Sequence, residues 1–300
     1  MTLYAFSGAI EQGLVYGLMA LGVFITFRIL DFPDLTVDGS LPLGAAVSSV
    51  LITHGLNPYL SLIPAMLAGF MAGMITGLLT TKLRILHLLA SILTMTALYS
   101  VNIRIMGGRP NLTLLNKATV FDPLSNFNIS PFLVEILFFF VLVLLIIAIL
   151  IWLIHTEYGQ ALIATGDNPK MITSLGVNTH FTIITGVGVS NSLVALSGAL
   201  IAQNQGAADV SMGVGTIVAG LASIVVGETI FSRRNVSIAI ISVVLGSILY
   251  RLAIALALGL KFKGFSFKAS DLNLITATLV VLALIIPRIK ASLKNQRSAI

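Results

Sequence analysis

The chain has 300 residues, of which 57% are hydrophobic and only 9% charged, and its mean hydropathy is +1.04. A soluble domain carries roughly 25% charged residues, so this composition excludes a water-facing globule and predicts an integral membrane protein. The net charge of +6 is typical of cationic loops beside a membrane and predicts no nucleic-acid partner. The absence of cysteine excludes disulfides, thiolate metal sites and thiol catalysis.

Long apolar runs predict an all-α polytopic membrane protein with eight to ten transmembrane or re-entrant helices. A spanning helix needs about 20 apolar residues. The first run lacks the basic start of a secretory signal, so we interpret it as a retained span. The candidate runs are Ser7–Phe27, Gly39–His54, Tyr59–Thr80, Ile85–Met106, Pro131–Ile154, Phe181–Gln203, Gly213–Phe231, Val236–Leu258 and Leu272–Pro287.

Lysine and arginine counts predict the orientation, because cytoplasmic loops carry an excess of both. With strictly alternating spans, one side holds ten of these residues and the other holds six. The richer side holds Arg28, Lys82, Arg84, Lys170, Arg233, Arg234, Arg288, Lys290, Lys294 and Arg297. We therefore expect one transmembrane domain over residues 1–300, with a cytoplasmic segment from about residue 155 to 180 and a basic cytoplasmic tail at 288–300.

Small residues recur within the predicted spans. Gly69, Gly73 and Gly77 are four residues apart, which places them on one helical face and allows a second backbone to approach closely. We expect helix packing there, with a dimer seam or pathway lining as the alternative. Asn191 and Ser192 lie inside a later span, where a polar side chain needs a partner or a wet cavity.

Acidic residues gather in the stretch "RILDFPDLTVDGSLPLGA", which contains Asp31, Asp34 and Asp38. Proline and glycine interrupt helices there, and Asp38 or Ser40 is expected to cap the helix that follows. The stretch fits either a plain cytoplasmic loop or a broken helix beside a translocation path. Glu228 ends a later apolar run, where we expect it to pair with Arg233 or Arg234 or to line the path.

No catalytic, metal or cofactor site is predicted. The sequence contains neither a His-Glu-x-x-His motif nor a nucleotide-binding P-loop, and its four histidines share no helical spacing. We therefore interpret the chain as a conduit for a solute.

The segment "GQALIATGDNPKMITSLGVN" predicts two short helices on the cytoplasmic side, with Gly166 ending the first. Asp167 or Asn168 would cap the second helix, Pro169 would occupy its first turn, and Gly176 would end it. Met171, Ile172 and Leu175 share one face, which is typical of a helix that docks into a groove of a soluble partner. The alternative is a helical hairpin lying in the lipid interface.

This segment resembles the coupling-helix region of ABC importer permeases of the branched-chain amino acid and ribose permease family. The matching residues are Tyr158, Gly159, Asn168, Gly176, Val177 and Asn178. The stretches "DFPDLTVDGSLPLGA" and "LLASILTMTALYSVNIRIMGGRP" resemble the same family, especially a subgroup of uncharacterised permeases, some of them linked to tryptophan or other aromatic amino acid uptake. The chain departs from the family by carrying Met171-Ile172-Thr173 where many members have Glu-Ala-Ala.

The resemblance implies a bacterial-type inner membrane and a path between two permease subunits, expected to be a homodimer. Two cytoplasmic ATP-binding subunits would dock on Asn168–Gly176, and an extracytoplasmic solute-binding protein would deliver the solute, an amino acid in our expectation. ATP hydrolysis would occur on the partner chain. The expected path residues are Asp34, Asp38, Ser40, Asn191, Ser192 and Glu228. The alternative is an ion-coupled carrier or channel without an ATPase, which would depend on Asp31, Asp34 or Asp38.

Overall fold

The computed structural model describes residues 3–124, 131–231, 235–259, 261–262, 265–266, 277–278, 281 and 285. Within these residues the chain forms ten α helices and two short antiparallel ribbons. Seven helical segments of this part are long and apolar enough to cross a membrane, and Val37–Thr53 is a shorter apolar helix. The prediction of an all-helical polytopic membrane protein is confirmed.

The helices are α1 (Leu3–Phe24), α2 (Val37–Thr53), α3 (Pro58–Thr81), α4 (His87–Ile105), α5 (Pro131–His155), α6 (Glu157–Asp167), α7 (Pro169–Ser174), α8 (Thr179–Gln205), α9 (Thr216–Ile230) and α10 (Val236–Gly259). A π-helical turn, Ile25–Ile29, extends α1, and 3-10 turns lie at Asp122–Leu124 and Val210–Gly213. The strands are β1 (Asn111–Thr113), paired with β2 (Ala207–Asp209), and β3 (Lys261–Phe262), paired with β4 (Phe265–Ser266).

Eight of the predicted apolar runs coincide with α1 to α5 and α8 to α10, with end points that shift by a few residues. For the run Gly213–Phe231, helix α9 begins later, at Thr216, but the candidate span begins earlier, at Val210, because it includes the 3-10 turn. The run Leu272–Pro287, apart from a few isolated positions, and the basic tail 288–300 lie outside the described residues.

Helices α1 and α8 form the centre of the helix layer, and 78% of each span is buried. Serine hydroxyls fasten the neighbouring helices to the backbone of α1. Ser190 Oγ donates to Gly22 O at 2.7 Å, Ser197 Oγ donates to Val15 O at 2.8 Å, and Ser247 Oγ of α10 donates to Gly13 O at 2.9 Å. Such bonds and close backbone approach hold helices together where lipid supplies no hydrophobic driving force.

The glycine stripe of α3 lies against α8. A Cβ atom on Gly69 or Gly73 would overlap backbone oxygen atoms of α8, those of Asn191 and Val187, and a Cβ on Gly77 would lie 2.8 Å from the Cα of Ile184. The three glycines therefore let two spanning helices meet backbone to backbone inside one subunit.

The two ends of the helical bundle carry different structural elements, and we call them the hairpin side and the ribbon side. The hairpin side carries α6 and α7 together with the end of the π turn, since Gly166 of α6 packs on the carbonyl of Ile29. The ribbon side carries β1 and β2, and the loop before α5 is fastened there. Tyr59 Oη donates to Val120 O at 2.6 Å, and Leu114 N donates to Gly206 O at 2.8 Å.

Candidate functional site

The hairpin of α6 and α7 is shaped by its caps. Thr156 Oγ1 accepts from Gly159 N at 3.2 Å, and Asn168 Oδ1 accepts from Met171 N at 3.0 Å. Pro169 occupies the first turn of α7, and Gly176 follows its end with φ +90°, a backbone conformation that glycine adopts at low cost. The predicted cap at Asn168 and end at Gly176 are confirmed, whereas α6 continues one residue past the expected stop at Gly166.

The apolar side chains of α7 divide between two directions. Ile172 is buried, while Met171 is 53% exposed and Leu175 is 71% exposed. The expectation that all three share one outward face is therefore wrong for Ile172, which anchors α7 to the rest of the chain. Lys170 and Ser174 are exposed beside the two outward residues. Two apolar side chains on a short capped helix form a surface suited to a groove on another protein.

Helix α6 is braced against the spanning helices. Tyr158 Oη lies 2.5 Å from Thr185 Oγ1 of α8, and burial raises the pKa of the Tyr158 phenol, with this hydrogen bond acting in the opposite direction. Gly159 packs directly on the backbone of Leu153 and Ile154. These contacts join the hairpin to α5, to α8 and, through Gly166, to the π turn that follows α1.

Asp34, Ser40 and Asn191 meet in a buried polar network. Asn191 Nδ2 donates to Asp34 Oδ2 at 2.7 Å, Ser40 Oγ donates to Asn191 Oδ1 at 2.7 Å, and Thr36 N donates to Asp34 Oδ1 at 2.9 Å. All of these side chains are fully buried. Asn191 lies at the middle of the 27-residue helix α8, so a carboxyl group is held deep within the helix layer. The network joins the loop before α2 to α8, and its role in a solute path stays a prediction.

Asp38 lies in the first turn of α2 but caps a different helix. Its carboxylate accepts from Gly215 N at 3.1 Å and Ile217 N at 2.9 Å, which are free backbone donors at the start of α9, and from Thr216 Oγ1 at 3.0 Å. The expectation that Asp38 or Ser40 caps α2 is wrong, because α2 begins at Val37 after Thr36 and has no side-chain cap. The Asp38 carboxylate therefore belongs to the first turn of α2 but caps the start of α9.

Glu228 and Ser192 have different surroundings. Glu228 Oε1 accepts from Arg28 Nε at 2.7 Å, which ties the end of α9 to the π turn on the hairpin side. The expected partners of Glu228, Arg233 and Arg234, lie outside the described residues. Ser192 is partly exposed and has no hydrogen-bond partner within the described part of the chain. The path role of both residues stays a prediction.

Sequence reasoning missed a second polar cluster, on the ribbon side. Gln203 Nε2 donates to Ser48 Oγ at 3.0 Å, Gln203 Oε1 accepts from Val120 N at 3.1 Å, and Ser48 Oγ lies 2.8 Å from Ser61 Oγ. The cluster fastens the loop of Val120 over the ends of α2, α3 and α8. A glutamine in the last turn of an apolar run was the available signal, because a buried amide needs partners.

Seven candidate spans within the described residues identify a polytopic membrane protein, and the hairpin of α6 and α7 lies at one end of them. The chain matches, over residues 5–286, the family model described as "Branched-chain amino acid transport system / permease component". It therefore belongs to this family of transport permeases, and it is a multi-pass permease subunit of an ATP-binding-cassette importer. The family implies ATPase and binding-protein partners, so the alternative of a carrier without an ATPase is no longer held.

Individual relatives agree with this assignment. The chain is 40% identical over 284 residues to the "Tyrosine transport system permease protein" of Clostridioides difficile, covering 95% of this chain and 92% of that protein. It is 25% identical over 223 residues to the "Ribose import permease protein RbsC" of Haemophilus influenzae, covering 73% and 67%. Among solved structures, "PsaBC from Streptococcus pneumoniae in complex with Fab" shares the fold, with a TM-score of 0.51, 16% identity and coverage of 93% and 89%.

Proposed function

We propose that this permease carries an aromatic amino acid, with tyrosine as the first candidate, and that α7 is its contact with the ATPase. The observation that supports the ATPase contact most directly is the pair of outward apolar residues, Met171 and Leu175, on a helix otherwise fixed by Asn168 and Ile172.

The packing of α6 supports a mechanism for force transmission. ATP-driven closure of two ATPases moves the docked α7 helices, and α6 passes this movement to the ends of α1, α5 and α8 through Gly166, Gly159 and Tyr158. Rocking of these helices opens the path alternately to the two sides. The chain itself catalyses no reaction in this mechanism.

The choice of an amino acid rests on similarity over almost the whole chain. The tyrosine permease of C. difficile is covered over 92% of its length, whereas the ribose permease of H. influenzae shows lower identity and coverage. We further propose a homodimer, with the single permease domain of residues 1–300 in each copy. A solute-binding protein docks on the ribbon side, where the ordered loop and ribbon present a built surface.

The ATPase contact is tested with Leu175→Asp and Met171→Asp, each of which puts a charge on an exposed apolar anchor. We expect the ATP-binding subunit to stop co-purifying and the binding-protein-stimulated ATPase rate to fall by about tenfold or more. The matched control for co-purification of the ATP-binding subunit is Leu115→Asp on the ribbon side, away from α7, where Leu115 is 79% exposed. Normal co-purification and stimulation in both α7 variants would show that the ATPase binds elsewhere.

The substrate is tested by ATP-dependent uptake of radiolabelled tyrosine into proteoliposomes that contain the permease, its ATPase and its binding protein. Competition by tryptophan and phenylalanine, with none by ribose, supports an aromatic amino acid. Competition by leucine equal to that by tyrosine would broaden the substrate class to hydrophobic amino acids. Uptake of ribose without uptake of tyrosine would contradict the proposal.

A further inference from the structure

The three least buried spans of the described chain differ in what they expose. Only 33% of the α3 span and 28% of the α4 and α5 spans are buried. Helices α3 and α5 present apolar side chains to the outside, as lipid contact requires. On α3 these are Leu60, Ile63, Leu67, Met71, Ile75 and Leu78, and on α5 they include Leu137, Phe140, Val141, Leu144, Leu145 and Ile149.

Helix α4 also exposes apolar side chains, among them Leu88, Ile92 and Val101, but it adds a stripe of exposed polar groups. Although α4 and α5 are buried to the same extent, α5 is the most hydrophobic of the seven candidate spans and α4 is the least. Thr96, Ser100 and Arg104 are exposed and lie four residues apart, so they form one stripe along the outward face. The exposed aromatic ring of Tyr99 lies beside this polar stripe.

The polar stripe covers the half of α4 that ends on the ribbon side. Thr96 lies at the middle of the 19-residue helix, and Arg104 lies next to its last residue. Thr96 Oγ1 donates to Ile92 O at 2.8 Å, but within the described chain neither the Ser100 hydroxyl nor the Arg104 guanidinium has a partner. A hydroxyl or a guanidinium without a partner is costly to place in hydrocarbon, whereas water satisfies both.

We propose that the polar stripe of α4 lines the aqueous solute path, which it shares with the same stripe of a second copy of this chain. A two-fold axis places identical faces opposite each other, and both would then border one water-filled path open toward the ribbon side. The inference rests on the proposed function, since it assumes a dimeric importer permease. The solute path would then run along an exposed face of α4 and not through the buried network of Asp34 and Asn191.

The stripe also has the chemistry to recognise an aromatic amino acid. A guanidinium binds a carboxylate through two parallel hydrogen bonds, so Arg104 meets the solute's carboxylate at the ribbon-side end of the path. The ring of Tyr99 offers a stacking surface for the aromatic side chain. The hydroxyls of Thr96 and Ser100 continue the polar surface to mid-depth.

Cysteine labelling tests the water-filled path directly, because the chain has no cysteine of its own. The test variant is Ser100→Cys and the matched control is Ile63→Cys, each five residues from the ribbon-side end of its helix. In the assembled transporter, a membrane-impermeant methanethiosulfonate should modify Ser100→Cys at least about tenfold faster, because apolar surroundings suppress the reactive thiolate. Modification should also block uptake in this variant.

Equal labelling rates, or no labelling of either variant, would overturn the assignment of this face to the path. The labelling rate is measured without turnover, so it remains decisive even if ATP-dependent uptake fails. If the transporter without the label failed to take up tyrosine, that result would instead contradict the proposed function. The two failures are therefore distinguishable.

Protection from labelling tests the role of Arg104. Tyrosine should slow modification of Ser100→Cys severalfold, while tyramine, which lacks the carboxylate, should not. The protection should disappear in Arg104→Gln and persist in Arg109→Gln, the neighbouring exposed arginine. Equal protection by both ligands, or protection that survives Arg104→Gln, would show that Arg104 does not bind the carboxylate.

Discussion

Helices α7 and α8 are consecutive in the chain but differ in which side chains they bury and which they expose. Helix α8 buries polar side chains, and Ser190, Asn191 and Ser197 each have a hydrogen-bond partner on another helix. Helix α7 exposes apolar ones, Met171 and Leu175, which have no equivalent covering within the described chain. The buried polar groups of α8 hold helices together, whereas the exposed apolar groups of α7 are the proposed contact with the ATPase.

The difference has a physical origin in the two environments. Between spanning helices, hydrogen bonds and close packing replace the hydrophobic effect, because lipid is as apolar as the helices. On the water-facing hairpin the hydrophobic effect operates, so an uncovered leucine favours burial against a partner. Substitutions on α8 should therefore change stability, and substitutions on α7 should change association.

Asn191→Ala should produce the largest loss of stability. A hydrogen bond between spanning helices contributes only about 0.6 kcal/mol on average. Removing Asn191, however, leaves the Asp34 carboxyl and the Ser40 hydroxyl buried with fewer partners, at about 1–3 kcal/mol for each group. We expect the free energy of unfolding to fall by about 3 kcal/mol, measured by titration with a denaturing detergent in mixed micelles.

Ser192→Ala is the matched control, since Ser192 is the next residue and has no hydrogen-bond partner in the described chain. Its free energy of unfolding should change by less than about 0.5 kcal/mol. Equal losses in the two variants would show that the network of Asp34, Ser40 and Asn191 does not stabilise the subunit.

Gly73→Ala should have the second largest effect. The added methyl group would overlap the carbonyl oxygen of Val187, so α3 and α8 must separate. Overpacking of this kind costs about 1–3 kcal/mol, and we expect about 2 kcal/mol in the same titration. Gly8→Ala is the control, because no heavy atom lies within 4 Å of the position its Cβ would take. If the free energy of unfolding of Gly73→Ala were unchanged, the contact between α3 and α8 would adjust to the added methyl group at little cost.

Asp38→Ala should have a smaller effect on stability. The substitution removes the acceptor for Gly215 N, Thr216 Oγ1 and Ile217 N, and loss of a helix cap costs about 1 kcal/mol. Asp38→Asn keeps one acceptor oxygen and should lose less than Asp38→Ala. Hydrogen exchange of the first amides of α9 should rise in the alanine variant. The reverse order of the two variants would contradict the capping role.

The local features of this structure could be predicted from the sequence. Helix ends follow from residues close in the chain, so the apolar runs and the cap at Asn168 were correctly placed. Long-range partners were not predictable, because Asp38 meets Ile217 across 179 positions and Arg28 meets Glu228 across 200. The ribbon of β1 and β2 was also missed, since strands of three residues are too short to show a period of two.

Leu175→Ala should have the smallest effect on stability and one of the largest on transport. Leu175 is 71% exposed and follows the last turn of α7, so truncation should change the free energy of unfolding by less than about 0.5 kcal/mol. If the side chain fills a pocket of the ATPase, its loss should weaken that complex by about 1–2 kcal/mol, roughly a tenfold increase in Kd. Titration of the ATP-binding subunit against the purified permease measures this directly. Ile172→Ala, the buried neighbour on the same helix, should instead lower stability. An equal stability loss in both variants, with unchanged ATPase affinity, would mean that α7 is a structural element only.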